Sequence, residues 1–251
     1  VSSLFGIAGR RALVTGSSRG IWLALARALA EAGAEVILNA RDAAALDAAR
    51  TRLQQVASAP VHTAPFDVTD EDDVRRAIGD LGAVDILVNN AGMQRRAPFP
   101  DFATTDFAAL LATNARAVFL FSREVSRAMI ERGAGKIITI CSVQSELARP
   151  GIAPYSATKG AVRMLVKGMC ADLGPHGIQV NGLAPGYFST ELTQALVADE
   201  QFTEWVRTRT PAGRWGQVED LAGTLLWLAS PASDFVNGQT IFVDGGMTAV
   251  L

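Results

Sequence analysis

Residues 155–159 read YSATK and place the phenol of Tyr155 and the amine of Lys159 four positions apart. On a helix that spacing puts both side chains on one face. A tyrosine in water keeps its proton to about pH 10, so it is a poor base near neutrality. A neighbouring ammonium stabilises the phenolate, and the pair can then give or take a proton. Ser142 follows the apolar run GKIITIC at 135–141 and can donate a hydrogen bond to a substrate oxygen, polarising a carbonyl. Asn114 falls within a long helical stretch and can pass protons through water between Lys159 and solvent. Each piece has a plainer reading. A Tyr–Lys pair at this spacing is commonly a helix-surface contact, and Asn114 can be a helix-interior polar residue bonded to backbone. It is their combination with a glycine-rich turn that points to one site.

That turn is TGSSRGI at 15–21, between an apolar run and a helical segment. A strand–turn–helix junction of this kind presents backbone N–H groups and a helix N-terminus to phosphates, as dinucleotide-binding folds do. Gly16 permits the tight turn and Gly20 the close approach of phosphate, while Ser17 and Ser18 add hydroxyl donors beside Arg19 and Ile21. After the second strand, an acidic residue would accept from a ribose 2′-hydroxyl and repel a 2′-phosphate. Here Asn39-Ala40-Arg41 stands instead. An amide and two guanidinium groups, Asn39 with Arg19 and Arg41, suit a 2′-phosphate, so NADP(H) is the expected cofactor, with NAD(H) possible. Asp67 and Val68 close the third strand and can hold the adenine. Asn89, Asn90, Ala91 and Gly92 close the fourth and can line the adenosine.

The elements that position these groups alternate regularly. Strands are expected at residues 11–15, 35–39, 61–66, 85–89, 135–141, 178–183 and 240–243. Helices are expected at 21–32, 43–57, 71–81, 107–131, 155–173, 191–207 and 218–228. This rhythm means right-handed βαβ units and a parallel, doubly wound sheet with helices on both faces. The 251 residues, 49% hydrophobic, hold enough apolar side chain for one large core. We read one domain over 1–251, with a dinucleotide-binding part at about 10–145 and a catalytic and substrate part at about 140–251. A net charge of -2 gives no bulk attraction to nucleic acid. No apolar stretch reaches the roughly 18 residues of a membrane span, and the start of the chain lacks a signal-peptide pattern, so a cytoplasmic protein is expected. The two cysteines, Cys141 and Cys170, have no CxxC partner, and His62 and His176 lie in no catalytic motif, so no metal is expected.

TGxxxGI at 15–21, NNAG at 89–92, Asn114, Ser142, YxxxK at 155–159 and PGxxxT at 185–190 together resemble the short-chain dehydrogenase/reductase family over nearly the whole chain. The closing NGQ at 237–239 and VDGG at 243–246 fit the same family. The resemblance implies a Rossmann-type fold and a catalytic tetrad of Asn114, Ser142, Tyr155 and Lys159. It implies that Lys159 holds the nicotinamide ribose, and that Pro185, Gly186 and Thr190 hold the carboxamide. It also implies a homotetramer with the long helices at one interface. Within the family, NNAGMQRR at 89–96, ICSVQSEL at 140–147 and VNGLAPGYFSTE at 180–191 are similar to the branch that interconverts gluconate and 5-ketogluconate, and RTPAGRWG at 209–216 and SDFVNG at 233–238 add to it. The residues are compatible with such a small-molecule substrate. Gln94, Arg95, Gln144, Arg149 and Tyr187, with Glu146, come from loops expected to converge over the nicotinamide, and a polyhydroxy acid needs many hydrogen bonds and one cation. Arg95 or Arg96 can supply that cation, with Arg149 as the rival; the plainer reading pairs the first two with Asp101, Asp106 or another subunit. Alternatives are a carbonyl reductase of other ketones, a 3-oxoacyl thioester reductase, and a dinucleotide-binding sensor without catalysis, whose expected signature is loss of Tyr or Lys. One departure stands out: the family pattern has a third glycine after Ile21, where this chain has Trp22. That glycine lets the first helix pack closely on the sheet, so Trp22 is expected to weaken cofactor binding while leaving the fold intact.

Overall fold

The computed structural model describes residues 4–18, 20–190 and 193–250, with the backbone alone at Ile21 and Trp22. Seven parallel strands form one sheet in the order β3-β2-β1-β4-β5-β6-β7. They are β1 (Arg11–Val14), β2 (Glu35–Ala40), β3 (Val61–Pro65), β4 (Ile86–Asn89), β5 (Gly135–Ile140), β6 (Ile178–Pro185) and β7 (Thr240–Val243). Alternate strand residues face opposite cores, as the two-residue period of a strand requires. Ala12, Val14, Val36 and Leu38 pack under Leu25 and Leu29 of α1 (Ile21–Glu31), Leu46 of α2 (Ala43–Gln54) and Leu225 of α9 (Glu219–Ala229). Leu13, Ile37, Leu87 and Ile137 pack on the other face against Val74 of α3 (Glu71–Leu81), Phe121 and Val125 of α5 (Ala117–Arg132) and Val166 of α6 (Ala153–Leu173). The fold is the doubly wound, Rossmann-type sheet the sequence implies. The chain winds outward from β1 to β3, then returns to place β4 beside β1. Ligands bind such sheets at this reversal, beyond the carboxyl ends of the strands.

The helix starts follow from local chemistry. Asp42 caps α2 by accepting from the N–H groups of Ala44 and Ala45 at 3.0 and 3.1 Å. Asp70 does the same for α3 through Asp72 and Asp73. Pro154 sits in the first turn of α6, where its missing N–H is harmless.

Two segments differ from the sequence expectation. The stretch expected as one helix over 107–131 starts earlier, as α4 (Thr104–Leu111), and is broken by a π-helical turn at Ala112–Arg116 before α5. That wider turn carries Asn114, whose amide is tied to the backbone of Met93. A single-turn π bulge breaks no hydrophobic period strongly enough to be read from sequence, and it is common at functional sites. The stretch expected as one helix to residue 207 is two, α7 (Gln194–Val197) and α8 (Glu200–Arg209), because Asp199 accepts from the N–H of Phe202 at 3.1 Å and begins a new helix.

Phe121 is fully buried and stacks on Phe66, ring centroids 5.6 Å apart, just before Asp67 at the end of β3. Phe121→Ala is expected to destabilise the fold by about 3–5 kcal/mol, lowering the midpoint by roughly 2–4 °C per kcal/mol for a chain of this size. Thermal unfolding followed by circular dichroism checks this, and an unchanged midpoint contradicts the packing described.

Candidate active site

The glycine turn is held by a compact set of hydrogen bonds. Gly16 has φ +64°, a conformation that glycine adopts without penalty. A Cβ at this position would lie 2.7 Å from Cα of Ala91, so the turn and the 89–92 loop touch through bare backbone. Thr15 ties the same loops together: its Oγ1 accepts from the N–H groups of Asn90 at 2.9 Å and Ala91 at 3.0 Å. Asn90 returns the contact by donating from Nδ2 to the Thr15 carbonyl at 2.7 Å. Thr15 was readable as part of the TG motif, but nothing in the sequence marks it as the clamp.

Two residues expected as cofactor ligands have other duties. Asn39 is fully buried; its Oδ1 accepts from Gly16 N–H at 3.3 Å, and its Nδ2 donates to the carbonyls of Ala64 and Phe66 at 3.0 and 3.3 Å. Ser17 is also buried, donating from Oγ to the Val14 carbonyl and accepting from the Asn39 N–H. The Asn39 amide and the Ser17 hydroxyl therefore shape the turn and have no donor left for a phosphate. A polar residue at a strand end looks the same in sequence whether it faces ligand or scaffold. Arg19, and the side chains of Ile21 and Trp22, lie outside the described residues.

A groove of about 650 Å³ runs along the carboxyl ends of β1, β2 and β4, and Gly16, Ser18, Arg41, Asp67, Val68, Ala91 and Gly92 all line it. Arg41 lies 3.7 Å from an Asp67 carboxylate oxygen, with its side chain 80% exposed. Burial alone would raise the Asp67 carboxyl, but hydrogen bonds from the N–H and hydroxyl of Thr69 and the charge of Arg41 hold it below its ordinary value. The N-terminal end of α1 opens from Gly20 with no side-chain cap and no acidic residue in its first turn. An uncapped positive helix end, a bare-backbone glycine turn and an exposed guanidinium fit a phosphate-bearing dinucleotide. At the far side, Thr190 lines a cavity of about 430 Å³ together with Gly20 and Leu23, its hydroxyl 3.0 Å from that of Thr193. The Pro185-Gly186 turn passes close to β7, where a Cβ on Gly186 would meet Cα of Asp244 at 2.8 Å.

The proton-transfer group is assembled by the end of β5 and the loop after it, by α6, and by the π-helical turn at Ala112–Arg116. Tyr155 lies in the first turn of α6, and the Lys159 Nζ sits 5.8 Å from the centre of its ring. Lys159 is buried, and its Nζ donates to the Ile140 carbonyl at the end of β5, at 2.6 Å. Ser142, two residues beyond that carbonyl, is buried; its Oγ accepts from the Gln144 N–H at 3.1 Å, which leaves the hydroxyl proton to donate. Ser145 staples the Ser142 loop to α6 by donating to the Lys159 carbonyl at 3.0 Å. Asn114 meets the set through the scaffold: Nδ2 donates to the Thr158 hydroxyl at 3.1 Å, and that hydroxyl donates to the Tyr155 carbonyl at 2.7 Å.

On the substrate side, Tyr187 sits in an aromatic cluster, edge-on to Phe202, Trp205 and Trp215 at 5.6, 5.5 and 5.9 Å. Burial holds its phenol above the ordinary value, against the opposing charges of Arg149 and Arg96 and the hydrogen-bonding reach of Arg149. Arg149 lies over Phe202, 5.6 Å from the ring centre. Gln144 is buried with its Oε1 unpartnered among the described residues. Gln94 accepts from Arg96 at 3.2 Å. Arg95 is placed on the nucleotide groove wall, paired with Asp106 at 3.4 Å. The cluster residues Phe202, Trp205 and Trp215 were not singled out in the sequence. Their only signal is the three-residue spacing of Phe202 and Trp205, which is shared by any packed helix face.

Comparisons with known proteins agree with this geometry. The family model described as Enoyl-(Acyl carrier protein) reductase matches residues 16–248. The chain is 58% identical to a gluconate 5-dehydrogenase of Gluconobacter oxydans (strain 621H), over 99% of this chain and 98% of the relative. It is 51% identical to the 5-keto-D-gluconate 5-reductase of Escherichia coli (strain K12), over 98% of both chains. The crystal structure of a gluconate 5-dehydrogenase from Burkholderia cenocepacia J2315, in complex with NADP and tartrate, matches with a TM-score of 0.96 at 57% identity, covering 100% of this chain and 99% of that one. With a model match over most of its length and relatives this similar end to end, the chain belongs to the short-chain dehydrogenase/reductase family of oxidoreductases.

Proposed function

We propose that this protein interconverts D-gluconate and 5-keto-D-gluconate with NADP(H). The observation that carries the reading is the Lys159 ammonium fixed by the Ile140 carbonyl at 2.6 Å and set over the Tyr155 ring, beside the buried Ser142 hydroxyl. The printed activities of the relatives at 58% and 51% identity support the substrate, and the NADP complex of the 57% identical enzyme supports the cofactor. When bound, the nicotinamide supplies or accepts the hydride. In reduction, Ser142 donates a hydrogen bond to the ketone oxygen, and Tyr155 gives that oxygen its proton. Lys159 balances the phenolate that forms, and its own position does not depend on substrate because the Ile140 carbonyl holds it. Oxidation runs the same proton path in reverse. Asn114 acts as a positioning residue, fixing Thr158 and through it the Tyr155 backbone. Arg41, Ser18, Asp67 and Val68 receive the adenosine half, with Arg41 on the 2′-phosphate. Pro185, Gly186 and Thr190 receive the nicotinamide end. No helix among the described residues is long and apolar enough to cross a membrane; we place the enzyme in the cytoplasm as a homotetramer. Exposed Phe107, Leu111 and Phe119 along α4 and α5, with Met164 on α6, favour burial of that face between subunits.

Tyr155→Phe is expected to lower kcat in both directions by about 10²–10⁴-fold while NADPH still binds. Steady-state nicotinamide absorbance and NADPH fluorescence titration check this, and turnover at the unaltered rate sinks the assignment. Arg41→Ala is expected to cut the ratio of kcat/KM for NADPH over NADH by about 10–100-fold, the loss of one charge-assisted contact. A ratio that does not move means that Arg41 is only a solvated partner of Asp67.

A further inference from the structure

Tyr155, Lys159 and Arg163 recur every four residues along α6 and so share one face. The first two carry the proton chemistry; Arg163 does not. Its guanidinium pairs with the Glu146 carboxylate, the two side chains being 29% and 40% exposed. The Arg163 Nε is buried without a hydrogen-bond partner among the described residues. The loop position of Glu146 suggests a substrate contact, yet the structure turns its carboxylate to α6.

Glu146 closes a single 3₁₀ turn, Val143–Ser145, that Ser142 opens. The turn is tied within itself. Ser142 Oγ accepts from the Gln144 N–H at 3.1 Å, and the Ser142 carbonyl from the Ser145 N–H at 2.9 Å. The Val143 carbonyl accepts from the N–H groups of Glu146 at 3.1 Å and Leu147 at 2.8 Å. Ser142 and Glu146 are therefore the two ends of one body. A turn this short does not hold its place unaided. It has two anchors on α6. Ser145 donates to the Lys159 carbonyl at 3.0 Å, and Glu146 meets Arg163, which starts four residues further along the helix, about 6 Å on. One anchor would leave the turn free to pivot about it; two fix its orientation. Arg163 also acts on the end of β5. Burial holds the Cys141 thiol above its ordinary value, and the charges of Lys159 and Arg163 both oppose it, so both cations reach the residue between the Ile140 carbonyl and Ser142.

We propose that Glu146 and Arg163 are positioning residues: their ion pair is the second anchor, and it aims the Ser142 hydroxyl at the substrate oxygen. This rests on the role given to Ser142 in the reaction above. A half-exposed ion pair contributes little to stability, so its effect here is geometric. A donor serves the transition state only if it already stands in place, and a displacement of about 1 Å can cost about 10²-fold in rate. Neither residue has to touch substrate or cofactor to act in this way.

In 5-keto-D-gluconate reduction by the full chain, Glu146→Gln and Arg163→Met are each expected to lower kcat by about 10–100-fold. KM, and the NADPH dissociation constant from fluorescence titration, are expected to stay as in wild type. The reversed pair, Glu146→Arg with Arg163→Glu, is expected to recover part of the loss. The sharpest comparison is made in Ser142→Ala, where Glu146→Gln is expected to cost nothing further, because no hydroxyl is left to aim. The same loss in both backgrounds, or a change in KM alone, overturns the proposal. Amide hydrogen exchange reads the anchor without turnover: Glu146→Gln is expected to speed exchange at 144–147 and to leave the sheet unchanged. Unchanged exchange at 144–147 also overturns it. A wild type inactive on 5-keto-D-gluconate overturns the proposed reaction; faster exchange in Glu146→Gln then leaves the anchor standing.

Discussion

The Lys159 ammonium is held at one place by a carbonyl that belongs to the sheet. Ile140 ends β5, and its carbonyl accepts from Nζ at 2.6 Å; Lys159 and Tyr155 then share one turn of α6. A buried cation is costly unless it is paired or hydrogen-bonded. Burying this one against backbone alone leaves its charge uncompensated and directed at the phenol. Everything else in the site keeps that geometry: Ser145 staples the Ser142 loop to the Lys159 carbonyl, and Asn114 locks Thr158 behind Tyr155. The π turn that carries Asn114 is the local irregularity this arrangement requires.

The sheet provides the second constraint. Because β4 returns beside β1, the Gly16 turn and the 89–92 loop meet edge to edge, close enough that a single Cβ would not fit. Thr15 and Asn90 tie this contact, while Asn39 and Ser17 give up their polar groups to hold the turn against the ends of β1, β2 and β3. The turn is thus braced by protein groups on every side, and the exposed Arg41 on the groove wall is the residue proposed to discriminate between phosphorylated and plain ribose.

The fold was legible because its signals are periodic. Apolar strand runs leading to Gly16, Asp67 and Asn89 alternate with helical segments of regular length. The proton-transfer pair was legible because Tyr155 and Lys159 are one helical turn apart. The π turn, the new helix begun by Asp199, and the buried duties of Asn39 and Ser17 were not legible: each depends on which partner lies across the fold, and sequence spacing carries no such information. The same limit left the substrate cation open among Arg95, Arg96 and Arg149; among the described residues only Arg95 of the three has a carboxylate partner, Asp106. Trp22 remains the one motif departure whose side chain lies outside the described residues.

The central claim is that a lysine fixed by the sheet makes the phenol of Tyr155 a working acid and base. It is tested most directly by the single-turnover rate of 5-keto-D-gluconate reduction in Lys159→Met, with NADPH and sugar acid both saturating so that binding losses are removed. The expected result is a chemical step slower by about 10²-fold or more. A chemical step at the wild-type rate would contradict it.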